Sequence, residues 1–310
     1  MAKKILLDTD IGTDSDDALA LALAMASPEI EIAGVIATGT EAGLRARIAK
    51  KILVLGGRGD IPVYVGASEP VGEGALYWFG HEGQGIIDDA DVLDIEAEPG
   101  VDAYTRLTRE HDGLEVVAIG SMSTVASALD ADVGLADRLG RIVIMGGHVR
   151  PASYGGIELS PGIDYNLCSD PEASARTVLC GAKIVMVPCE VTVQTWITTA
   201  DTDRIEASGG LGAVLAAAVR AWTPMQQAIF AGLGCDPSID NADFMHDPLT
   251  VASCQDESFC TFEDTWLEPK MIDGVFRTIE VEQNATGAAP VRLATAVDNE
   301  GFQAHLAERL

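Results

Sequence analysis

The chain is short of positive charge. Its 48 aspartates and glutamates face 20 lysines and arginines, giving a formal net charge of −28 over 310 residues. A field of that sign repels phosphate backbones and anionic lipid. It excludes a nucleic-acid polymer and a membrane surface as expected partners. Paired cysteines are also missing. The six cysteines (Cys168, Cys180, Cys189, Cys235, Cys254 and Cys260) include no Cys-x-x-Cys pair. Neither a disulfide framework nor a zinc site with ligand spacing is expected. No apolar run reaches the roughly 18 residues of a membrane span, and no signal-peptide core with a cleavage site is found. The expected location is cytoplasmic. No linker tract, internal repeat or low-complexity run divides the sequence, so residues 1–310 are expected to form one domain with decorated loops.

What the chain has in excess is aspartate at one place. Asp8, Asp10, Asp14, Asp16 and Asp17 fall within ten residues, after the apolar run Ile5-Leu6-Leu7 and before an alanine- and leucine-rich stretch. The pattern reads as strand, tight loop, helix, with every acid at the strand's carboxyl end. Open α/β sheets bind ligands at that edge. Acids crowded there repel one another unless a cation sits among them. An oxygen-only donor set suits a hard ion such as Ca²⁺ or Mg²⁺. The plainer alternative is a solvated loop whose Asp16 or Asp17 caps the following helix.

Apolar runs then alternate with helical patterns. Strands are expected at 4–8, 31–37, 62–65, 115–119, 141–145, 183–188 and 290–297. Helices are expected at 18–26, 44–55, 101–110, 124–129, 171–179, 211–230, 248–253 and 300–310. Several strands are near-continuous Val/Ile/Leu runs, as strands covered on both faces are. The expected fold is α/β: a doubly wound, mainly parallel central sheet with helices on both faces. Residues with chemistry recur where strands end: Gly120-Ser121-Met122-Ser123, Met145-Gly146-Gly147-His148 and Glu190-Val191-Thr192.

Three separated segments belong together. They are the loop from Asp8 to Asp17; Ser160-Pro161-Gly162-Ile163-Asp164-Tyr165-Asn166 followed by Asp170-Pro171-Glu172-Ala173; and His246-Asp247-Pro248-Leu249-Thr250. In this order, with Ile144-Met145-Gly146-Gly147 between them, they resemble the inosine–uridine nucleoside hydrolase family. The first segment resembles the branch with a loop two residues longer, Asp-Thr-Asp-Ile-Gly-Thr-Asp-Ser-Asp-Asp. The resemblance implies Ca²⁺-dependent hydrolysis of the N-glycosidic bond of ribonucleosides, giving ribose and a free purine or pyrimidine base.

Residue by residue, the resemblance implies that Asp10, Asp17 and Asp247 hold Ca²⁺, joined by the main-chain carbonyl of Ser123. Asp10 is also the base for the attacking water. Asp16 and Asn166 bind ribose hydroxyls, and His246 assists departure of the base. Thr40 follows Gly39 where the family has Asn or Asp, so a ribose contact there is altered. Glu158 and Asp164 stand on the 5′ side of ribose, where the family carries Asn and Glu. His81, after Tyr77-Trp78-Phe79, resembles a loop that closes over the base. Trp222 and Phe230 either stack on the base or belong to the core. The family also implies a homodimer or homotetramer. Two alternatives stay open at this level. One is a haloacid-dehalogenase-like phosphatase, whose first strand ends in Asp-x-Asp-Gly-Thr. The other is a non-catalytic nucleoside- or metal-binding protein on the same scaffold.

Overall fold

The apolar run Ile5-Leu6-Leu7 lies in the interior of a nine-stranded sheet. The computed structural model describes residues 2–88, 90–162 and 164–310; Ile163 of the second motif lies outside the described residues. In chain order the strands are β1 (Lys3–Thr9), β2 (Ile30–Ala37), β3 (Val63–Val65), β4 (Glu115–Ala118), β5 (Arg141–Met145), β6 (Ala152–Tyr154), β7 (Ile157–Leu159), β8 (Ile184–Val187), β9 (Trp196–Ile197), β10 (Asp243–Phe244), β11 (Cys260–Ile272), β12 (Val275–Val281) and β13 (Ala289–Val297). The large sheet runs β12-β11-β13-β8-β5-β4-β1-β2-β3. From β13 to β3 every pairing is parallel; β11 and β12 add an antiparallel hairpin at one edge. β6 with β7, and β9 with β10, form small two-stranded ribbons.

Both faces of the parallel part are covered. Ile5 and Leu7 enter one apolar cluster and Leu6 the other. Val117 and Val143 face the first cluster, while Val116, Ala118, Ile142 and Ile144 face the second. Successive side chains of a strand point to opposite faces, so two buried faces demand an unbroken apolar run. Removing Leu6, which is fully buried, to alanine would cost about 2–5 kcal/mol.

The expected strands and helices all appear, most with ends shifted by one or two residues. The hairpin β11–β12 was not expected. Its long strand is largely exposed or half-buried and carries Pro269 in the stretch beyond Leu267 that pairs with β12 alone, where a missing amide donor is tolerated.

This order places the site. Chain direction along the sheet reverses between β1 and β4, since β2 and β3 lie to one side and β5 and β8 to the other. The crevice outside the carboxyl ends at such a switch point is where open α/β sheets take ligands. The loop after β1 and the turn after β4 flank that crevice.

Candidate active site

The loop after β1 is folded tightly around its own side chains. The Thr9 hydroxyl donates to Asp17 Oδ1 and accepts the Ile11 amide at 3.1 Å. Gly12 has φ +119°, and a Cβ there would lie 2.6 Å from Ile48, so a side chain is excluded. Helix Asp16–Ala26 follows at once, with Asp16 and Asp17 in its first turn. Asp16 Oδ2 accepts the Asp247 amide at 3.0 Å. That contact joins this helix to helix His246–Gln255.

The result is a small inner chamber of about 90 Å³. Asp10, Asp14, Asp16 and Asp17 come from the first loop, Ile119 follows β4, and Met145 ends β5. Asp164, Tyr165 and Asn166 come from the second motif, Cys189 follows β8, and His246 and Asp247 complete the wall. An outer chamber of about 580 Å³ shares Asp14, Asp164 and Tyr165 with it and is walled by Tyr77, Phe79, Trp222, Met271 and Phe276. The rings are organised: His81 stacks on Trp222 at 6.0 Å and Tyr77 lies 4.6 Å from Tyr165.

Burial dominates the electrostatics. It raises the Asp10 carboxyl to about 7 against the opposing pull of Arg45, with Asp14 raising it further. Burial, then repulsion from neighbouring carboxylates, pushes Asp16, Asp17 and Asp247 well above the usual carboxylate range. Asp164 is raised to about 7, also by burial. His246 is pushed down to about 4 by burial, and its Nδ1 pairs with the Thr192 hydroxyl at 2.6 Å. Buried oxygens Asp16 Oδ1 and Asp164 Oδ1 have no hydrogen-bond partner. One carboxylate oxygen from each of Asp14, Asp16 and Asp17 lies within 4.8 Å of the others. Unpaired buried acceptors in a cluster of acids are the environment a cation fits.

The structure brings Asp10, Asp16, Asp17, Asp164, Asn166, His246 and Asp247 together, and sets Trp222 in the outer chamber with His81 stacked on it. The Asn166 side-chain amide donates to the carbonyls of Ile119 and Met145 at 2.9 and 3.1 Å. Four residues named from the sequence lie elsewhere. Ser123 does not line either chamber. It opens helix Ser123–Ala131, its hydroxyl donates to Asp170, and its carbonyl accepts the Ser127 hydroxyl at 2.8 Å. Ile119, just before that turn, is in the chamber wall instead. Glu158 is exposed on β7, paired with Ser153, because its neighbours Ile157 and Leu159 turn inward on that short strand. Thr40 donates its hydroxyl to the Leu76 carbonyl at 2.8 Å and does not line a chamber. Phe230 packs with Tyr154 and Phe244 in a separate aromatic cluster, at ring distances of 5.3 and 4.7 Å.

Sequence reasoning missed Arg45 and Asp243. Arg45 is fully buried among the loop carbonyls. Asp243 accepts the Ser15 hydroxyl and lies beside Trp222, linking the acidic loop to the outer chamber. Asp243 lies a few residues before the His246 motif, the one sequence cue to it. Arg45 has none, since a charged residue early in a helix ordinarily reads as solvated.

Known proteins are similar to this chain over its whole length. The family model of the inosine-uridine preferring nucleoside hydrolase matches residues 5–304. The chain belongs to this family. The pyrimidine-specific ribonucleoside hydrolase RihA of Enterobacter sp. (strain 638) is 31% identical over 323 aligned positions, covering 100% of this chain and 98% of that protein. RihA of Escherichia coli O7:K1 is 28% identical, over 100% and 99%. Among solved structures, a plant nucleoside hydrolase superposes with a TM-score of 0.84 at 25% identity, covering 100% and 99% of the two chains. A purine-preferring ribonucleoside hydrolase from Gardnerella vaginalis gives 0.84 at 26%, covering 99% and 98%. The protein is thus a nucleoside hydrolase family enzyme, which sets aside both the phosphatase and the non-catalytic alternative. No helix among the described residues is long and apolar enough to cross a membrane.

Proposed function

We propose that the protein hydrolyses the N-glycosidic bond of ribonucleosides with one Ca²⁺ held among its acids. The observation that carries this is the pair of chambers joined at Asp14, Asp164 and Tyr165. The inner one offers carboxylates and Asn166 to a sugar; the outer one offers aromatic faces to a base. Asp10, Asp17 and Asp247 would hold the ion, with Ile119 at the same wall. The half-buried Asp14 is a further carboxylate within reach. The bound cation supplies fixed positive charge that lowers the pKa of a nearby water.

The chain's own groups do the rest. Asp10 takes the water's proton as the water oxygen bonds to the anomeric carbon. The carbon–nitrogen bond breaks ahead of that bond formation, with both electrons passing to the base, which takes a proton from solvent water. Nearby carboxylates stabilise the oxocarbenium-like charge that develops between these events. His246, held by Thr192, orients the departing base. Asp164 faces the sugar. Its carboxylate form accepts hydrogen bonds only, so it suits a free 5′-hydroxyl and opposes a 5′-phosphate.

Uridine and cytidine are the first substrates to try, because the curated relatives above are pyrimidine-specific by name; inosine follows, given the purine-preferring structural relative. Free-base release from the three nucleosides, set against phosphate release from p-nitrophenyl phosphate, tests the reading. No base release in the presence of Ca²⁺ refutes it. A homodimer or homotetramer belongs to the same proposal, and sedimentation equilibrium decides it.

A further inference from the structure

Arg45 is the bulkiest of the fully buried side chains among the described residues. It comes from the first turns of helix Ala42–Leu55 and runs inward to the acidic loop. Its Nη1 donates to the carbonyls of Asp10 and Ile11, the latter at 3.2 Å. Nη2 donates to the Thr13 hydroxyl at 3.0 Å and Nε to the Thr40 carbonyl at 2.9 Å. Its partners are therefore carbonyls and a hydroxyl, not carboxylates. The acids face it at longer range: its charge acts on Asp10, Asp14, Asp17 and Glu82.

Glu82 completes the arrangement from the other side. Its carboxylate accepts the amides of Phe79 and Gly80 at 2.6 and 2.7 Å and the Thr13 hydroxyl at 3.3 Å. The Thr13 hydroxyl thus joins Arg45 to the segment that carries Tyr77, Phe79 and His81. His81 Nε2 meets the Thr13 carbonyl at 2.8 Å, and the Gly83 amide donates to the Gly12 carbonyl at 3.2 Å. Room for the guanidinium comes from Gly39, at φ +96°, where a Cβ would lie 3.3 Å from Arg45 Nε.

We propose that Arg45 is a positioning residue. Its planar fork fixes the main chain that aims Asp10 into the inner chamber, and through Thr13 and Glu82 it locks the aromatic wall of the outer chamber to the acidic loop. Five donors in a rigid plane serve several carbonyls at once, which a single ammonium does not. Charge alone predicts the opposite outcome for a bound metal. Removing a positive group from beside the acids would strengthen cation binding, whereas loss of a positioning group weakens it. The kinetic arm of the test rests on the proposed function; the other two arms do not.

The test compares wild type, Arg45→Lys and Arg45→Gln as full-length protein. Calorimetric titration with Ca²⁺ should show affinity lower by about 10–100-fold in both variants, the scale for groups that orient metal ligands. The kcat for uridine should fall about 10²-fold, the scale of a small misplacement of reacting groups, with KM changed far less. Amide hydrogen exchange should accelerate at Phe79, Gly80 and Gly83 while β1, β4 and β5 keep their protection. Wild-type behaviour of Arg45→Lys would show that charge suffices and overturn the proposal. Equal or tighter Ca²⁺ binding by Arg45→Gln would do the same, as would exchange that accelerates uniformly along the chain. If Arg45→Gln does not fold, Thr13→Ala removes only the hydroxyl bridge and should speed exchange at Phe79 and Gly80; unchanged exchange there overturns the link. A wild type without nucleoside turnover defeats the functional reading, and the exchange measurement still decides Arg45.

Discussion

Stripping the metal should destabilise the protein more as pH rises, and Asp10 sets the scale. Burial holds its carboxyl at about 7, against 3.8 for an ordinary aspartate. Below 3.8 the folded and unfolded chains are both protonated there, so Asp10 adds nothing. As pH rises from 3.8 to about 7, the unfolded chain ionises and the folded one does not, and stability is lost. Each pH decade in that window is worth about 1.4 kcal/mol, so Asp10 alone costs metal-free protein about 4 kcal/mol at pH 8. A cation among the carboxylates favours their charged form and removes that loss. The gap in Tm between Ca²⁺-loaded and stripped protein should therefore widen between pH 5 and pH 8. About 2.7 kcal/mol of that loss falls between pH 5 and pH 8, so at roughly 2 °C per kcal/mol for a chain of this size the widening is about 5 °C. Differential scanning calorimetry at several pH values, with and without about 1 mM CaCl₂, measures it. A gap that stays constant, or that narrows toward pH 8, refutes the reasoning.

Asp10→Asn should leave the fold intact and lower kcat for uridine by about 10³-fold or more, since base and metal ligand are lost together; stopped-flow or coupled base-release assays read it. His246→Ala should depress kcat for ordinary nucleosides and spare p-nitrophenyl riboside, whose leaving group needs no help; equal loss on both would move His246 to a sugar-positioning role. Trp222→Ala should raise KM through lost stacking on the base, at about 1–3 kcal/mol, and a KM unchanged across all three bases would remove Trp222 from the base chamber. Glu158→Asn should change kcat/KM for uridine less than about twofold, because surface substitutions away from special features have small effects and Glu158 is exposed on its ribbon. A larger change would mean that the ribbon β6–β7 folds over the sugar during turnover.

The parallel half of the sheet was legible because it is buried on both faces, so Ile5-Leu6-Leu7 and Ile142-Val143-Ile144-Met145 had to be continuous apolar runs. The hairpin β11–β12 was not, since its strands are largely exposed or half-buried and Pro269 sits where β11 pairs with β12 alone, so no unbroken apolar run is demanded. The acids were legible for a related reason: five aspartates beside a buried strand are too costly to be accidental. Ser123 shows the limit. Motif spacing located the turn after β4 correctly, but not where its helix begins, and a residue that opens a helix turns its carbonyl along the helix axis toward Ser127. Glu158 shows another, since one step along a strand exchanges inside for outside. Arg45 lay beyond reach altogether: its burial depends on carbonyls from three separate turns, which only the folded chain brings together.

Magnitudes decide what holds the crevice. Asp16 and Asp17 occupy the first turn of one helix and Asp247 that of another, where helix dipoles favour negative charge by about 0.3–1 kcal/mol each. Hydrogen bonds from Thr9 and the Asp247 amide add on the order of 1.5–3 kcal/mol where the acceptor is charged. Arg45 adds one positive charge, already included in the pull on Asp10 that burial overcomes. Against these stand the roughly 4 kcal/mol of Asp10 burial and the larger displacements of Asp16, Asp17 and Asp247, all in the same direction. Local devices fall short of keeping the carboxylates ionised together near neutral pH. Either they share protons, which leaves Asp10 a poor acceptor for a water's proton, or a divalent cation joins them. The proposed hydrolysis near neutral pH calls for the second state, so the proposed metal and the proposed base would belong to one cluster.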